Sequence, residues 1–265
     1  MKYEFTGDTK LFCGHLVRRI RAIRDIHTQF LFVPKGTLGG WVEKSSNLSQ
    51  DGECWVANEA VVLGDGKITH NALVSGNAWV KDSVVCDNGT VTDFARVTDE
   101  SKCEDEAFVG GNARIRGGRI TENAHITDNA GVKNACVKGK AKLLGSATAL
   151  SDSCVSQYAV VGGTAVIGKG VHVFGNAKIY QGHIHDVGHW ITLPIRYYRY
   201  SNIGVEEATF VLSGDNIYVA MGEDGGSIEG FLQHHAGLWK ETGMEDIMQE
   251  QIKMCCDYAV AYLTK

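Results

Sequence analysis

The chain has 265 residues, with 31 Asp and Glu against 26 Lys and Arg, a formal net charge of −5 and a sequence pI of about 6.1. That balance argues against a general nucleic-acid binder or a ligand of anionic membranes, although it is compatible with a local basic patch. No apolar run is long enough to span a bilayer and the opening MKYEFTGDTK lacks a signal-peptide core, so a cytoplasmic protein is expected.

Residues 1–53 keep no simple period and read as an N-terminal β cap. KYEFTG and HLVRRIRAI are predicted strands, with Val17, Ile20 and Ile23 supplying apolar contacts. Arg18, Arg19, Arg21 and Arg24 form either an anion site or, more plainly, charges that protect a strand edge. Gly39–Gly40 is expected to let the chain turn tightly, and Trp41 to cover the first coil of the repeat that begins at Cys54.

From Cys54 to Val187 the chain repeats every six residues. Aliphatic residues recur at Val56, Val62, Ile68, Val74 and Val80 and continue to Ile184, most with a small residue two positions earlier (Ala60, Gly66, Ala72, Ala78), a pattern broken only by Cys54 and Val171. Neither a helix nor a half-exposed strand has this period. It fits a short strand and a bend, three to a coil, with both repeated residues pointing inward. Steps of five occur before Val85, Ile120, Val137 and Ile184. The first three coincide with hexads six, twelve and fifteen, so in a three-sided coil they share one edge. Seven to eight coils at about 4.8 Å each predict a rod roughly 35 Å long. Outward Asn and Asp, such as Asn58, Asn71, Asp82, Asp87 and Asn112, suit the corners because they tolerate left-handed backbone and bond to neighbouring amides.

Eight cysteines occur without a C-x-x-C. Cys54 and Cys103 fall on inward positions, while Cys86, Cys136 and Cys154 lie beside them. All read first as packing residues, with a redox or metal role as the alternative. HIHDVGHW gathers His183, His185 and His189, the best metal candidate by spacing for zinc or nickel, against a plainer reading as a polar junction. Residues 188–265 read as a small α+β unit. WITLPIRYY, ATFVLSG and IYVAMG are predicted strands. SIEGFLQHHAGLW is a helix capped by Ser227, and MEDIMQEQIKMCCDYAVAYL is a second helix whose stripe Ile247, Met254, Tyr258 and Tyr262 faces the core.

The hexads look like the hexapeptide repeat of left-handed parallel β-helices. The approach KGTLGGWVEKSSNLSQDGECWV (Lys35 to Val56) is more specific and resembles the YdcK-like family of enterobacterial and phage or prophage β-helix proteins, many of which carry provisional transferase labels. The resemblance implies a mainly β fold: cap 1–53, left-handed β-helix 54–187 and α+β domain 188–265. It leaves two functional readings. In the first, the chain is a non-enzymatic phage- or prophage-type rod. It presents a surface to an unidentified protein or small-molecule partner, needs no cofactor and is open to homo-oligomerisation. In the second it is a hexapeptide acyltransferase using acyl-CoA. Such enzymes are typically trimers with a histidine base near a groove between copies, and here His125 and His172 are the outward candidates. The extended catalytic loop of that family is missing.

Overall fold

A computed structural model describes residues 1–184, 190–199, 202–213, 216–221, 224–233 and 253–261. Its centre is a three-sided parallel β-helix of about eight turns. The first face begins with Leu38–Val42 and Val61–Leu63 and continues through Trp79–Lys81, Arg96–Thr98, Arg114–Arg116, Gly131–Lys133, Thr148–Ala149 and Val166–Ile167 to His183–Ile184. The second face stacks seven strands from Lys67–Ile68 to His172–Val173, and the third eight strands from Trp55–Val56 to Lys178–Ile179.

The repeat explains this shape. Every inward aliphatic position from Val56 to Ile184 is buried, including Val97, Val109 and Ile126 at 0% exposure. The small residues two positions earlier, apart from the half-buried Gly182 of the last coil, are buried with them, since an inside corner has no room for more. Val85, Ile120 and Val137, each reached by a five-residue step, all lie on the second face, so the shortened corners share one edge. Ile184, after the fourth short step, lies on the first face.

The corner residues need a refinement. Left-handed backbone falls on Asn58, Asp82, Asp87, Asp128, Asn134 and Asp152, as their side chains suit, but the Asn of most N-A pairs follows the left-handed residue rather than occupying it. His70 precedes Asn71, Gly76 precedes Asn77 and Gly111 precedes Asn112. Those Asn instead reach along the rod: Asn71 Nδ2 donates to Asn88 Oδ1 at 3.3 Å and Asn112 Nδ2 to Asn129 Oδ1 at 3.2 Å. On the edge between the third and first faces, left-handed residues alternate as Asn58, Gly76, Asp93, Gly111, Asp128 and Gly145. Asp93 accepts the Gly111 N–H and Asp128 the Gly145 N–H, both at 2.8 Å. A Cβ at Gly111 would stand 2.6 Å from the Asp128 nitrogen. On this edge, as far as Gly145, the coil above a reaching side chain carries glycine; on the edge between the second and third faces Asp105 accepts the Glu122 N–H at 3.0 Å without one.

At the N-terminal end, Tyr3–Phe12 and His15–Ala22 form an antiparallel hairpin that extends the first face. Its turn is Cys13–Gly14, with both residues at positive φ as a I′ hairpin turn requires. Tyr3, Ile20, Ala22, Ile26, Val33 and Leu48 close the open end of the core over Trp55. Trp41 does not cover that end. It lies on the outer side of the first face with Val17, Val61 and Leu63, and its Nε1 donates to Glu59 at 2.9 Å. Gly39 and Gly40 are not a turn either: both lie in Leu38–Val42, where a Cβ would meet Trp55 at 2.5 Å or the Ala60 carbonyl at 2.5 Å. Close packing, not curvature, requires them. Because Leu38–Val42 already stacks in parallel on Val61–Leu63, the prism reaches into the stretch read as cap.

At the other end, Trp190–Arg199, Asn202–Ser213, Asn216–Met221 and Asp224–Ser227 form an antiparallel meander. It packs on the last coil: Tyr218 joins the prism core, and the Lys178 N–H donates to Thr209 Oγ1 at 3.2 Å. Ser227 Oγ accepts the Gly230 N–H at 3.1 Å, capping the helix at 228–233 as expected. In the helix at 253–261 the buried residues are Cys256 and Ala259, whereas Met254 and Tyr258 are exposed. Met254 and Tyr258 are thus not the core residues expected, and the inner face of this helix carries Cys256 and Ala259 in their place. Ile247 and Tyr262 lie outside the described residues. No helix among the described residues is long and apolar enough to cross a membrane.

Candidate functional site: a basic first face

Each strand of the prism presents one residue before, and one after, its inward aliphatic residue. On the first face the earlier residues run in register as Trp79, Arg96, Arg114, Gly131, Thr148, Val166 and His183. The later ones include Thr98, Arg116 and Lys133, also in register. Arg96 therefore stands directly over Arg114, and Arg116 over Lys133. Trp79, Lys81, Arg96, Arg114 and Arg116, together with Asp82 and Asp99, line a depression of about 330 Å³. The Arg96 guanidinium lies 5.9 Å from the Trp79 ring centre.

Like charges directly opposed on neighbouring strands are destabilising, by roughly 0.2–1 kcal/mol a pair. Elsewhere this protein neutralises such pairs. On the second face Lys102 stands over Arg119, and Glu104 forms ion pairs with both. The arginines of the cap are likewise occupied: Arg19 by Glu59, Arg21 by Glu4 and Arg24 by Glu53, while Arg18 donates to the Glu43 carbonyl. They are therefore not an open anion site, and they do not protect an edge either, because Arg18, Arg19 and Arg21 lie on His15–Ala22, which pairs on both sides with Tyr3–Phe12 and Leu38–Val42. Lys81, Arg96, Arg114, Arg116 and Lys133 form no ion pair among the described residues. Asp82 turns its carboxylate to the Asp65 N–H at 2.8 Å instead. The arrangement is a cationic platform beside an aromatic ring, suited to hold a polyanion such as a phosphate ester.

The histidines singled out by sequence do not converge. His125 is on the third face, stacked on Phe108 with ring centres 5.4 Å apart. Burial, and then the nearby Lys142, hold its imidazole below the ordinary histidine range. His172 is exposed on the second face, over Cys154, and His183 is exposed on the first. His185 and His189 lie outside the described residues.

A second cluster was not legible in the sequence: His70, Cys86 and Asp87 bring possible metal ligands within 4.8 Å of one another. His70 and Asp87 are neighbours only because one coil separates them. Two features weaken it as a metal centre. His70 Nδ1 already accepts the Asp87 N–H at 3.3 Å, and burial, then Asp87, push the Cys86 thiol up to about 12. The basic face also escaped the linear sequence, although adding one coil to each arginine's position would have exposed it.

Fold and face together define a hexad-built parallel β-helix with one cationic side. No known family model matches the chain. Over 62 residues it is 36% identical to the Escherichia coli (strain K12) protein named Uncharacterized acetyltransferase YdcK. That stretch is 23% of this chain and 18% of the relative, so the likeness is local. A Bacillus cereus crystal structure provisionally described as an acetyltransferase, the product of the BC4754 gene, aligns with 50% of this chain and 72% of its own at 15% identity and a TM-score of 0.18.

Proposed function

We propose that the protein is an acyltransferase of the hexapeptide-repeat type that takes acyl-CoA, with the coenzyme's phosphates held on the first face. The observation that carries this reading is the stacking of Arg96 on Arg114 and of Arg116 on Lys133 without an acidic partner among the described residues. A phosphate-rich nucleotide would relieve both repulsions, and its base would find the Trp79 ring beside them. Past Arg114 the column continues as Gly131, Thr148 and Val166, all uncharged, to His183. Four strand spacings, about 19 Å, separate Arg114 from His183. In this reading those residues line the path of a pantetheine arm, and the imidazole at its end would take the proton of an acceptor amine or hydroxyl. His125 and His172 face other sides and would serve only a groove shared with another copy.

The local likeness to a protein named as an acetyltransferase favours this reading over the non-enzymatic rod expected first. The test is thermal unfolding of the full chain with added CoA. A ligand at 100 times its dissociation constant stabilises by about 2.7 kcal/mol, so a clear rise in melting temperature is expected, and the R96A/R114A protein should lose it. An unchanged melting temperature at millimolar CoA would rule the reading out.

A further inference from the structure

The N-terminal end of the prism holds a lysine and a cysteine that the proposed acyl transfer does not use. Lys2 is buried at 0% exposure, which is rare for a lysine and tolerated only where the ammonium finds acceptors. Its backbone is fixed on both sides: the Lys2 N–H donates to Gln50 Oε1 at 2.7 Å, and its carbonyl accepts the Ile23 N–H at 2.9 Å. The side chain then reaches the first coil. Nζ donates to the carbonyls of Asp51 at 3.2 Å and Gly52 at 3.4 Å, and to Cys54 Sγ at 2.9 Å. Lys2 forms no ion pair among the described residues. Cys54 occupies the slot two positions before Val56, where every other hexad but that of Val171 places Ala, Gly or Ser. A small side chain is all that this corner needs, and the thiol instead sets a sulfur against the amine. Cys54 is itself buried, but Asp51 and Gly52 are exposed. The pair therefore lies one residue beneath the surface, within reach of a small neutral oxidant.

We propose that Lys2 and Cys54 are a modification site at which hydrogen peroxide forms a covalent N–O–S bridge, stapling the cap to the prism. A separation of 2.9 Å is too long for a direct nitrogen–sulfur bond and matches the span of two single bonds through one oxygen atom. The first peroxide oxidises the thiol to a sulfenic acid, one of its oxygens bonding to sulfur and the other leaving as water. The second takes two electrons as the sulfenic oxygen joins the Lys2 nitrogen. An N–O bond forms, one N–H and the O–H break, and two waters leave; the extra proton of the ammonium passes to solvent. In sum, amine, thiol and two peroxides give the bridge and three waters, with sulfur and nitrogen each losing two electrons. Burial raises the Cys54 thiol above its ordinary value, so the first step is slower there than at the exposed Cys13. Proximity to the amine, not acidity, selects the product.

The experiment treats the reduced full chain, untagged at its N-terminus, with millimolar hydrogen peroxide. Remaining thiols are blocked, and the digest is mapped without reductant by mass spectrometry. The expected product is a cross-linked peptide pair containing Lys2 and Cys54, heavier than its two parts by one oxygen less two hydrogens. Dithiothreitol should reverse it, two equivalents returning the amine and thiol and releasing one water. Because the cross-link joins residues 52 positions apart, the oxidised protein should melt roughly 5 °C above the reduced one. Cys54→Ala, which restores a residue the repeat itself uses, should abolish that gain, as should Lys2→Arg. Four results would overturn the proposal: a cross-link lacking the oxygen, Cys54 carried to the sulfinic acid with Lys2 unmodified, Cys54 still free after prolonged exposure that has consumed Cys13, or a melting gain retained by Cys54→Ala. The mapping on unsubstituted protein stands whether or not a variant folds.

Discussion

Glu59 ties the hairpin to the prism through three partners: Lys10 at 2.9 Å, Arg19 at 2.6 Å and the Trp41 indole at 2.9 Å. Burial alone would raise its carboxyl, but those hydrogen bonds outweigh it and hold the group at about 2, against an ordinary value of 4.5. A carboxyl depressed on folding stabilises the native state above its unfolded value, and that contribution fades as the pH falls through the folded one. The difference in urea midpoint between the unsubstituted protein and E59Q should therefore be constant above about pH 6 and vanish between 4.5 and about 2. Glycines give a second test at this scale. Gly111→Ala combines left-handed backbone at φ 61° with a clash against the Asp128 nitrogen, and should cost about 1–3 kcal/mol or more. Gly131→Ala, whose added methyl would meet only the Thr148 side chain at 3.5 Å, should stay within about 0.5 kcal/mol. Equilibrium unfolding compares the two directly.

Among the elements, the prism strands were legible and the sites were not. An inward residue every six positions is a property of one line of sequence, so Val56 to Ile184 reveals the coil. The register of short steps at Val85, Ile120 and Val137 reveals its three sides. Proximity along the rod axis is different, because it joins residues 17 or 18 positions apart, as in Arg96 with Arg114 or Cys136 with Cys154. No local motif carries that spacing. Gly39 and Gly40 failed for a related reason: the atoms that forbid a side chain there belong to Trp55 and Ala60, which the local sequence does not place. The stacked arginines imply a trade between stability and binding. Arg114→Gln removes one half of a like-charge pair, so the ligand-free protein should gain about 0.2–1 kcal/mol, measured by urea unfolding, while its stabilisation by CoA falls.

For the molecule as a whole, both ends of the prism are covered by structure of another kind. The hairpin and its neighbours close one end over Trp55, and the meander meets the last coil through Tyr218 and Thr209. A bare end would offer unpaired strand edges and an apolar cross-section, an invitation to fibre growth. Coils between the covers touch only their neighbours, so each contributes to stability locally.

The alternation along one edge, Asn58, Gly76, Asp93, Gly111, Asp128 and Gly145, makes the building unit of that stretch two coils rather than one, until Gly163 follows Gly145 directly. Asn58, Asp93 and Asp128 stand thirty-five residues apart. Excising residues 93–127 would set Asp128 where Asp93 had been, with a glycine still below it, and a shortened rod should fold cooperatively in a thermal melt. Removing a single turn within that stretch would set a reaching side chain beneath a residue with a Cβ on this edge and should lower the midpoint of the same melt. Lineages that lengthen or trim the coils between Asn58 and Gly145 are thereby favoured to do so in even steps, a parity set by one row of missing methyl groups.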